Sequence, residues 1–503
     1  MPVINIQELN ATSATPLGNT EGLPVAIVGC ATDGPITVAA STPSDSNTVF
    51  TPVLCNSLSQ FKSIFGSAAP SSLPYGYNAA VSCLMNGNSV WFTRIGAVSG
   101  GTALAKASLP ITPSSGTADI AITATDYGTD GNNFSAIVNY ATNAYTITLS
   151  KNSTAIGTFS GITYDKLPFS NEYITVTAGS GVSTFTGNVS IQTATAFTGG
   201  KDGDGITSAS IYTQIRGVLD VLSDSNLYQF VVFAAPGLTH SNSGDAYVAE
   251  AFIDYTEGTS ITGTAFTHTR QDVVMIVDCA PTNSSSSPND VLSGVGLTNG
   301  SIEANYVAIF YPWFTTANGA QPPSIAYLRA FTNLQSDGYP CRAVAGPTYS
   351  TISGITALNT TVGSQTAQTL SDARINPITY HRNYGYYIDG NNVLNQTSQN
   401  RTYGQLNVRQ TINYIKRQLD DICMQLAYIT DVNRAANEFM GATTRMLDQL
   451  KSMNFLYSYN VTINNRATAI ADGQLIATVS IFPTPSVEVF EITLRVVNVE
   501  DAL

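Results

Sequence analysis

Asn305-Tyr306-Val307-Ala308-Ile309-Phe310-Tyr311 is an apolar run of strand length in which polar and apolar residues do not alternate. That pattern fits a strand buried on both faces, as in a parallel sheet covered by helices, and not the half-exposed strand of an antiparallel surface sheet. Working back from it, a second such run, Asp272-Val273-Val274-Met275-Ile276-Val277, follows a helical pattern over residues 247–257, a strand pattern over 228–233 and a helical pattern over 211–222. Strands alternating with helices predict a central, mainly parallel sheet. The unit opens earlier, at Leu23-Pro24-Val25-Ala26-Ile27-Val28-Gly29, a buried-strand run closed by glycine. Residues 57–66 then read as a helix that ends at Gly66. A helix over 77–85, an Asn86-Gly87 turn and a strand over 89–95 complete a βαβ start.

Between Gly96 and Gly199 the texture changes to Thr, Ser, Gly and Asn with short alternating strands such as 144–149 and 173–176, and the α/β pattern resumes at Ile206. This predicts an inserted β-rich surface domain. From about Asn376 the texture changes again. Val408, Ile412, Ile415, Leu419, Ile422, Leu426 and Ile429 form one apolar stripe along a helix, and Ala436, Phe439, Met440, Thr443, Leu447 and Leu450 mark a second helix. Two strand patterns flanking Pro483 and Pro485 close the chain. Leu475, Ala477, Val479 and Ile481 share a face of the first, and Phe490, Ile492, Leu494 and Val496 share a face of the second. The prolines cannot donate to a ladder, so they separate the two strands.

The predicted fold class is therefore mixed α/β and α+β, in several domains. An extended N-terminal arm spans 1–20, and an α/β core is split over 21–97 and 201–375 by the β-rich insertion at 98–200. A C-terminal α+β domain spans 376–485, followed by a strand arm over 486–503.

The chain has 503 residues, of which 43% are hydrophobic and only 11% charged, which suits a surface largely covered by partners. A net charge of −13 argues against non-specific nucleic-acid binding. Cys30, Cys55, Cys83, Cys279, Cys341 and Cys423 lack CxxC spacing and read as buried free thiols, consistent with assembly in a reducing cytoplasm. No basic segment followed by an apolar core opens the sequence, and no apolar run approaches the roughly 18 residues of a membrane span. The expectation is a soluble chain without stable membrane insertion.

Catalytic chemistry is hard to find. His240, His268 and His381 are far apart and in no metal-ligand spacing, and there is no GxSxG elbow. Gly199-Gly200-Lys201-Asp202 departs from the phosphate-binding loop pattern, and Asp202-Gly203-Asp204-Gly205 breaks the calcium-loop pattern and reads as a turn. No catalytic residue, metal or cofactor is predicted. Placed charge says more. Residues 374–451 carry nine basic and six acidic side chains, whereas the rest of the chain is strongly acidic. Arg409 and Lys416 lie two helical turns apart, away from the apolar stripe, and with Arg417 mark either a solvated helix face or a contact for an acidic partner.

Several fragments in order along the chain together resemble the tail sheath proteins of contractile-tailed bacteriophages and contractile injection systems. They include Val25 to Gly29 with Asp33-Gly34-Pro35, Phe61 with Phe65-Gly66, and Met85-Asn86-Gly87 before Trp91-Phe92-Thr93-Arg94. Asp126-Tyr127-Gly128 with Gly131-Asn132, and Gly199-Gly200-Lys201-Asp202-Gly203, bracket the insertion. The most specific are Tyr306 to Trp313, Pro322-Pro323-Ser324 and Ala345-Gly346, followed by Arg401, Leu406-Asn407-Val408-Arg409-Gln410, and Ile481-Phe482-Pro483 with Glu488 to Ile492. Gln410 stands where a second arginine is common in that family, and Tyr387-Ile388-Asp389-Gly390 lacks a tryptophan frequent before the glycine.

The resemblance implies a structural subunit, not an enzyme. It implies homo-hexameric rings stacked in a helical lattice around a tail tube, extended and metastable until contraction drives the tube through a target envelope. The implied partners are further copies of the chain, the tail tube protein, and baseplate and tail terminator proteins, with no direct nucleic-acid contact. The implied location is the virion tail, assembled in the host bacterial cytoplasm. Val3, Ile4 and Ile6 of the N-terminal arm and Val487, Val489, Phe490, Ile492, Leu494 and Val496 of the C-terminal arm become candidates for strand exchange between subunits. Leu475, Ala477, Val479 and Ile481 become the receiving strand, Pro483 and Pro485 the hinge, and Arg409, Lys416 and Arg417 the tube contact. The competing expectation is a surface or secreted carbohydrate-binding or carbohydrate-cleaving β-rich protein, for which Asp126, Asp130, Asp165 and Glu172 are the available carboxylates.

Overall fold

The computed structural model describes residues 23–38, 43–239, 247–259, 261, 265–339, 341–397, 402–464 and 474–486. These divide into two compact units, one within 19–340 and 344–399, the other within 341–343 and 400–503.

The larger unit is built on a nine-stranded sheet. In chain order its strands are β1 (Val25–Gly29), β2 (Val53–Cys55), β3 (Val90–Arg94), β4 (Val232–Ala234), β5 (Val274–Asp278), β6 (Val307–Tyr311), β7 (Thr351–Ile352), β8 (Ile375–His381) and β9 (Gly385–Ile388). Their spatial order is β7-β9-β8-β6-β5-β4-β1-β3-β2. The run from β8 through β3 is parallel, and β2, β9 and β7 add antiparallel edges. β1, β5 and β6 are buried at every residue because both faces are covered, as their unbroken apolar runs predict.

One face carries α3 (Ser208–Val221) and α4 (Val248–Glu257), whose Ile215, Val218, Leu219 and Phe252 pack with Ala26, Val28, Phe233, Met275 and Ile309 in one core. On α1 (Leu58–Phe65) and α2 (Tyr75–Met85), Phe61 and Tyr77 join Phe92 of β3, with the Phe61 and Phe92 rings 5.1 Å apart edge to face. Ser57 caps α1 by accepting from the Gln60 N–H. α2 lies so close to β1 that a Cβ on Gly29 would come within 2.8 Å of the Gly76 backbone, so both positions need glycine.

Two motifs of the sheath resemblance meet at the end of β5. The Trp313 indole donates to the Cys279 carbonyl at 2.8 Å. The Asp278 carboxylate accepts from the Ser324 N–H at 2.6 Å and hydroxyl at 2.8 Å, at the start of α5 (Pro323–Ser336), and from the Gly237 N–H at 3.0 Å. A buried acid thus satisfies a helix N-terminus.

Strand β4 is shorter than its sequence pattern and begins at Val232, although Tyr228 and Phe230 still pack against the core. A larger departure concerns residues 375–388. β8 pairs in parallel with β6 and β9 pairs with β8, so both belong to the central sheet, and the C-terminal unit begins near 400 and not near Asn376. The polar look of this segment hides a buried strand because its polarity is satisfied. Asn376 is buried and donates to the carbonyls of Ile309 at 3.1 Å and Asn392 at 2.8 Å.

The β-rich insertion is a sandwich of two four-stranded antiparallel sheets. Alternate residues of its strands, among them Ile120, Ile122, Ala136, Val138, Ile147, Leu149, Ile174 and Val176, close a core of their own. Its joint with the central sheet is polar and buried. Arg94, at the end of β3, donates to the carbonyls of Gly34 at 3.0 Å and Tyr127 at 2.6 Å. The Asp202 carboxylate accepts from the Thr129 N–H at 2.6 Å and hydroxyl at 2.9 Å, so the Asp202 to Gly205 run ties the returning chain to the insertion.

The six cysteines are free, five of them buried and Cys423 half-buried. Among the described residues, no helix is long and apolar enough to cross a membrane.

Candidate assembly interface

The smaller unit pairs two helices with two strands. α6 (Leu406–Leu426) and α7 (Val432–Ser452) pack through Val408, Ile412, Ile415, Ile422, Phe439, Met446, Leu447 and Leu450. The sequence stripe on α6 is present, but the helix ends before Ile429, and from Leu406 to Ile415 it is buried on every side. Asp431 caps α7 by accepting from the N–H groups of Asn433 and Arg434.

Strand β10 (Leu456–Asn464) pairs antiparallel with β11 (Ile476–Pro483). Leu475, Ala477, Val479 and Ile481 face the helices, as their spacing predicts, and meet Tyr459, Val461 and Ile463 across the ladder. A register shift between Leu456 and Ser458 changes which side faces inward, so Leu456 is buried while Tyr457 is 77% exposed. Ile476 and Phe482 are also exposed, at 41% and 52%. Among the described residues each strand pairs only with the other, leaving the outer edge of both without a ladder.

The proline segment after β11 is held at both ends. Pro483 stands opposite Leu456 in the ladder, the Thr484 N–H donates to the Phe455 carbonyl at 3.0 Å, and the side chain of Gln405 bonds both backbone groups of Ser486. The hinge candidates Pro483 and Pro485 thus lie in a segment bonded to the rest of the C-terminal unit on both sides of Pro485. The strand-exchange candidates Val3, Ile4, Ile6, Val487, Val489, Phe490, Ile492, Leu494 and Val496 lie outside the described residues.

The three cations singled out in the sequence separate. Arg409 is only 2% exposed, inside the fully buried first half of α6, and does not share an open face with Lys416. Helical spacing alone assigned it outward because the tertiary surroundings cover all sides at that level. Lys416 and Arg417 are half-buried further along the same helix. More exposed cations stand on α7, where Arg445 is open and Arg434 pairs with Glu438 at 2.7 Å across one helical turn. Strand β10 and the Gln405 anchor were not found from the sequence. For β10 the signal existed in the alternation of Tyr459, Val461 and Ile463 with Asn460 and Thr462. Nothing marked Gln405.

The carboxylates of the glycosidase alternative do not form one site. Asp165 and Glu172 are exposed on the sandwich, whereas Asp126 and Asp130 lie at its joint with the core, near Arg94 and Asp33. His240 lies outside the described residues, and His381 stacks on Tyr384 with ring centres 5.0 Å apart. Among the described residues, no group of three or more His, Cys, Asp or Glu is placed to hold a metal ion.

No family model and no curated protein matches the chain. Solved structures do. The sheath tail protein of Desulfitobacterium hafniense shares 9% identity with a TM-score of 0.56, covering 96% of this chain and 100% of its own. The chain has the fold of tail sheath proteins. The sheath tail protein of Listeria innocua shares 14% identity with a TM-score of 0.57, covering 93% of this chain and 96% of its own. The sheath fold also recurs in the contracted-state sheath complex of an extracellular contractile injection system, at 12% identity and a TM-score of 0.50 over 100% of this chain and 98% of the other.

Proposed function

We propose that this chain is the building block of a contractile sheath. The observation that carries the reading is the end-to-end extent of the likeness to sheath structures, over 93% and 96% of the two chain lengths in one case and 96% and 100% in another. In this reading copies of the chain stack as hexameric rings around a tail tube, bounded by baseplate and terminator proteins. The two-stranded sheet of the C-terminal unit receives strands from neighbours. The terminal segments 1–20 and 487–503 supply those strands, and main-chain bonds worth about 1 kcal/mol each link subunits whatever their side chains. Contraction then needs no nucleotide, because a difference of a few kcal/mol per subunit between two packings sums over the lattice.

The test is assembly. Purified chain, alone or expressed with its tube protein, is examined by negative-stain electron microscopy. Hollow helical cylinders are expected. A chain that stays monomeric under both conditions overturns the proposal.

A further inference from the structure

The joint between insertion and core holds a half-buried amine against a buried carboxyl, a pair that the sheath role does not use. Asp130 lies in the turn Thr129–Asn133 that leads into the strand Phe134–Ala141, and Lys151 ends the strand Ala144–Lys151, opposite Phe134 in the ladder. Lys151 Nζ is in contact with Asp130 Oδ2, and the Asp130 side chain is only 4% exposed. The same Nζ stands 5.2 Å from the centre of the Phe134 ring. A third group completes the arrangement: the Asp33 carboxyl, from the loop after β1, is in hydrogen-bonding contact with that of Asp130. Asp130 is fixed there by its backbone N–H, which donates to the Thr32 carbonyl at 3.1 Å, and by the Asn133 amide, which donates to Oδ1 at 3.2 Å.

We propose that Lys151 and Asp130 condense into an intramolecular isopeptide bond, with Asp33 moving the protons. The Nζ lone pair forms a bond to Asp130 Cγ, and the carbonyl electron pair moves onto oxygen. Asp33 gives its proton to the departing hydroxyl oxygen and takes the proton that the nitrogen loses. The C–O bond breaks, water leaves, and an amide remains with Asp33 again a carboxylic acid. The sum is amine plus acid giving amide plus water, with no oxidant or cofactor.

Two physical features favour the step. The fold holds the reacting groups in contact, which removes the entropic part of the barrier. Burial, reinforced by Asp130, pushes the Asp33 carboxyl up to about 7, so it carries a transferable proton near neutrality. The cysteines being free, this pair gives the insertion a route to a covalent staple that does not depend on redox conditions.

The test is tryptic peptide mass spectrometry of the purified full-length chain after denaturation. An acylated Lys151 resists trypsin, so a single peptide over residues 107–166, lighter by one water than its sequence, is expected. Complete cleavage after Lys151 with unmodified masses overturns the bond and leaves an ordinary ion pair. Asp33→Asn, checked for native circular dichroism, is expected to leave Lys151 cleavable, and an unchanged yield of the bridged peptide overturns the role given to Asp33. Lys151→Arg keeps the charge and provides the unbridged reference.

Discussion

Gln405 holds Ser486 at two points, its Nε2 donating to the Ser486 carbonyl at 3.1 Å and its Oε1 accepting the Ser486 N–H at 2.8 Å. One side-chain amide thus does for Ser486 what a neighbouring strand residue does in a ladder. Replacing Gln405 with Ala removes both bonds, at about 1 kcal/mol each. The expected result is faster hydrogen exchange at Ser486 with an almost unchanged melting temperature. Equal exchange in the variant and the parent would show that the clasp contributes nothing to holding Ser486.

Removing residues 487–503 leaves β10, β11 and the Gln405 clasp intact. On the proposed strand exchange the truncated chain is a folded monomer with native circular dichroism that forms no cylinders under electron microscopy. Cylinders indistinguishable from those of the full chain would place the subunit link elsewhere.

The cations of α6 separate a structural from an interfacial role. Arg409→Glu puts a reversed charge into a site that is 2% exposed, and a loss of about 3–5 kcal/mol is expected in urea unfolding. Lys416→Glu with Arg417→Glu changes half-buried positions. It is expected to cost little stability yet weaken co-sedimentation with tail tubes, with the parent's binding falling as salt rises. The opposite pattern, with binding lost only for Arg409→Glu, would argue against a tube contact at Lys416 and Arg417.

Asp278 gives the central sheet a pH signature. Burial is the main cause that pushes its carboxyl up to about 6, and the bonds from Gly237 and Ser324 partly offset it. A raised acid binds more protons folded than unfolded, so its contribution is complete below the unfolded value of about 4 and is lost as pH rises through about 6. The stability advantage of the parent over Asp278→Asn, measured by denaturant unfolding, is therefore expected to shrink between about pH 4 and pH 7 and to level off above that. An advantage that grows with pH would mean that the hydrogen bonds outweigh the burial.

The central sheet was legible because its strands announce themselves: Val274 to Val277 and Val307 to Tyr311 can only be buried on both faces. The paired helices of the C-terminal unit were equally clear from their stripes. What sequence hid was decided by partners distant along the chain. Asn376 reads as loop until Ile309 and Asn392 satisfy it, and Arg409 reads as surface until its surroundings close over it. The clasp at Ser486 depends on a residue 81 positions away in the chain, which no local pattern encodes.

The insertion's joint carries a mechanical consequence. Arg94 and Asp202, on the outgoing and returning passes of the chain, each bond across to the segment from Tyr127 to Thr129. Two buried crossings tied to the same segment leave no single swivel, so a push on the outer sandwich is delivered to the ends of β1 and β3 as torque on the whole sheet. Anything that seizes the sandwich from outside thereby holds a handle on the core.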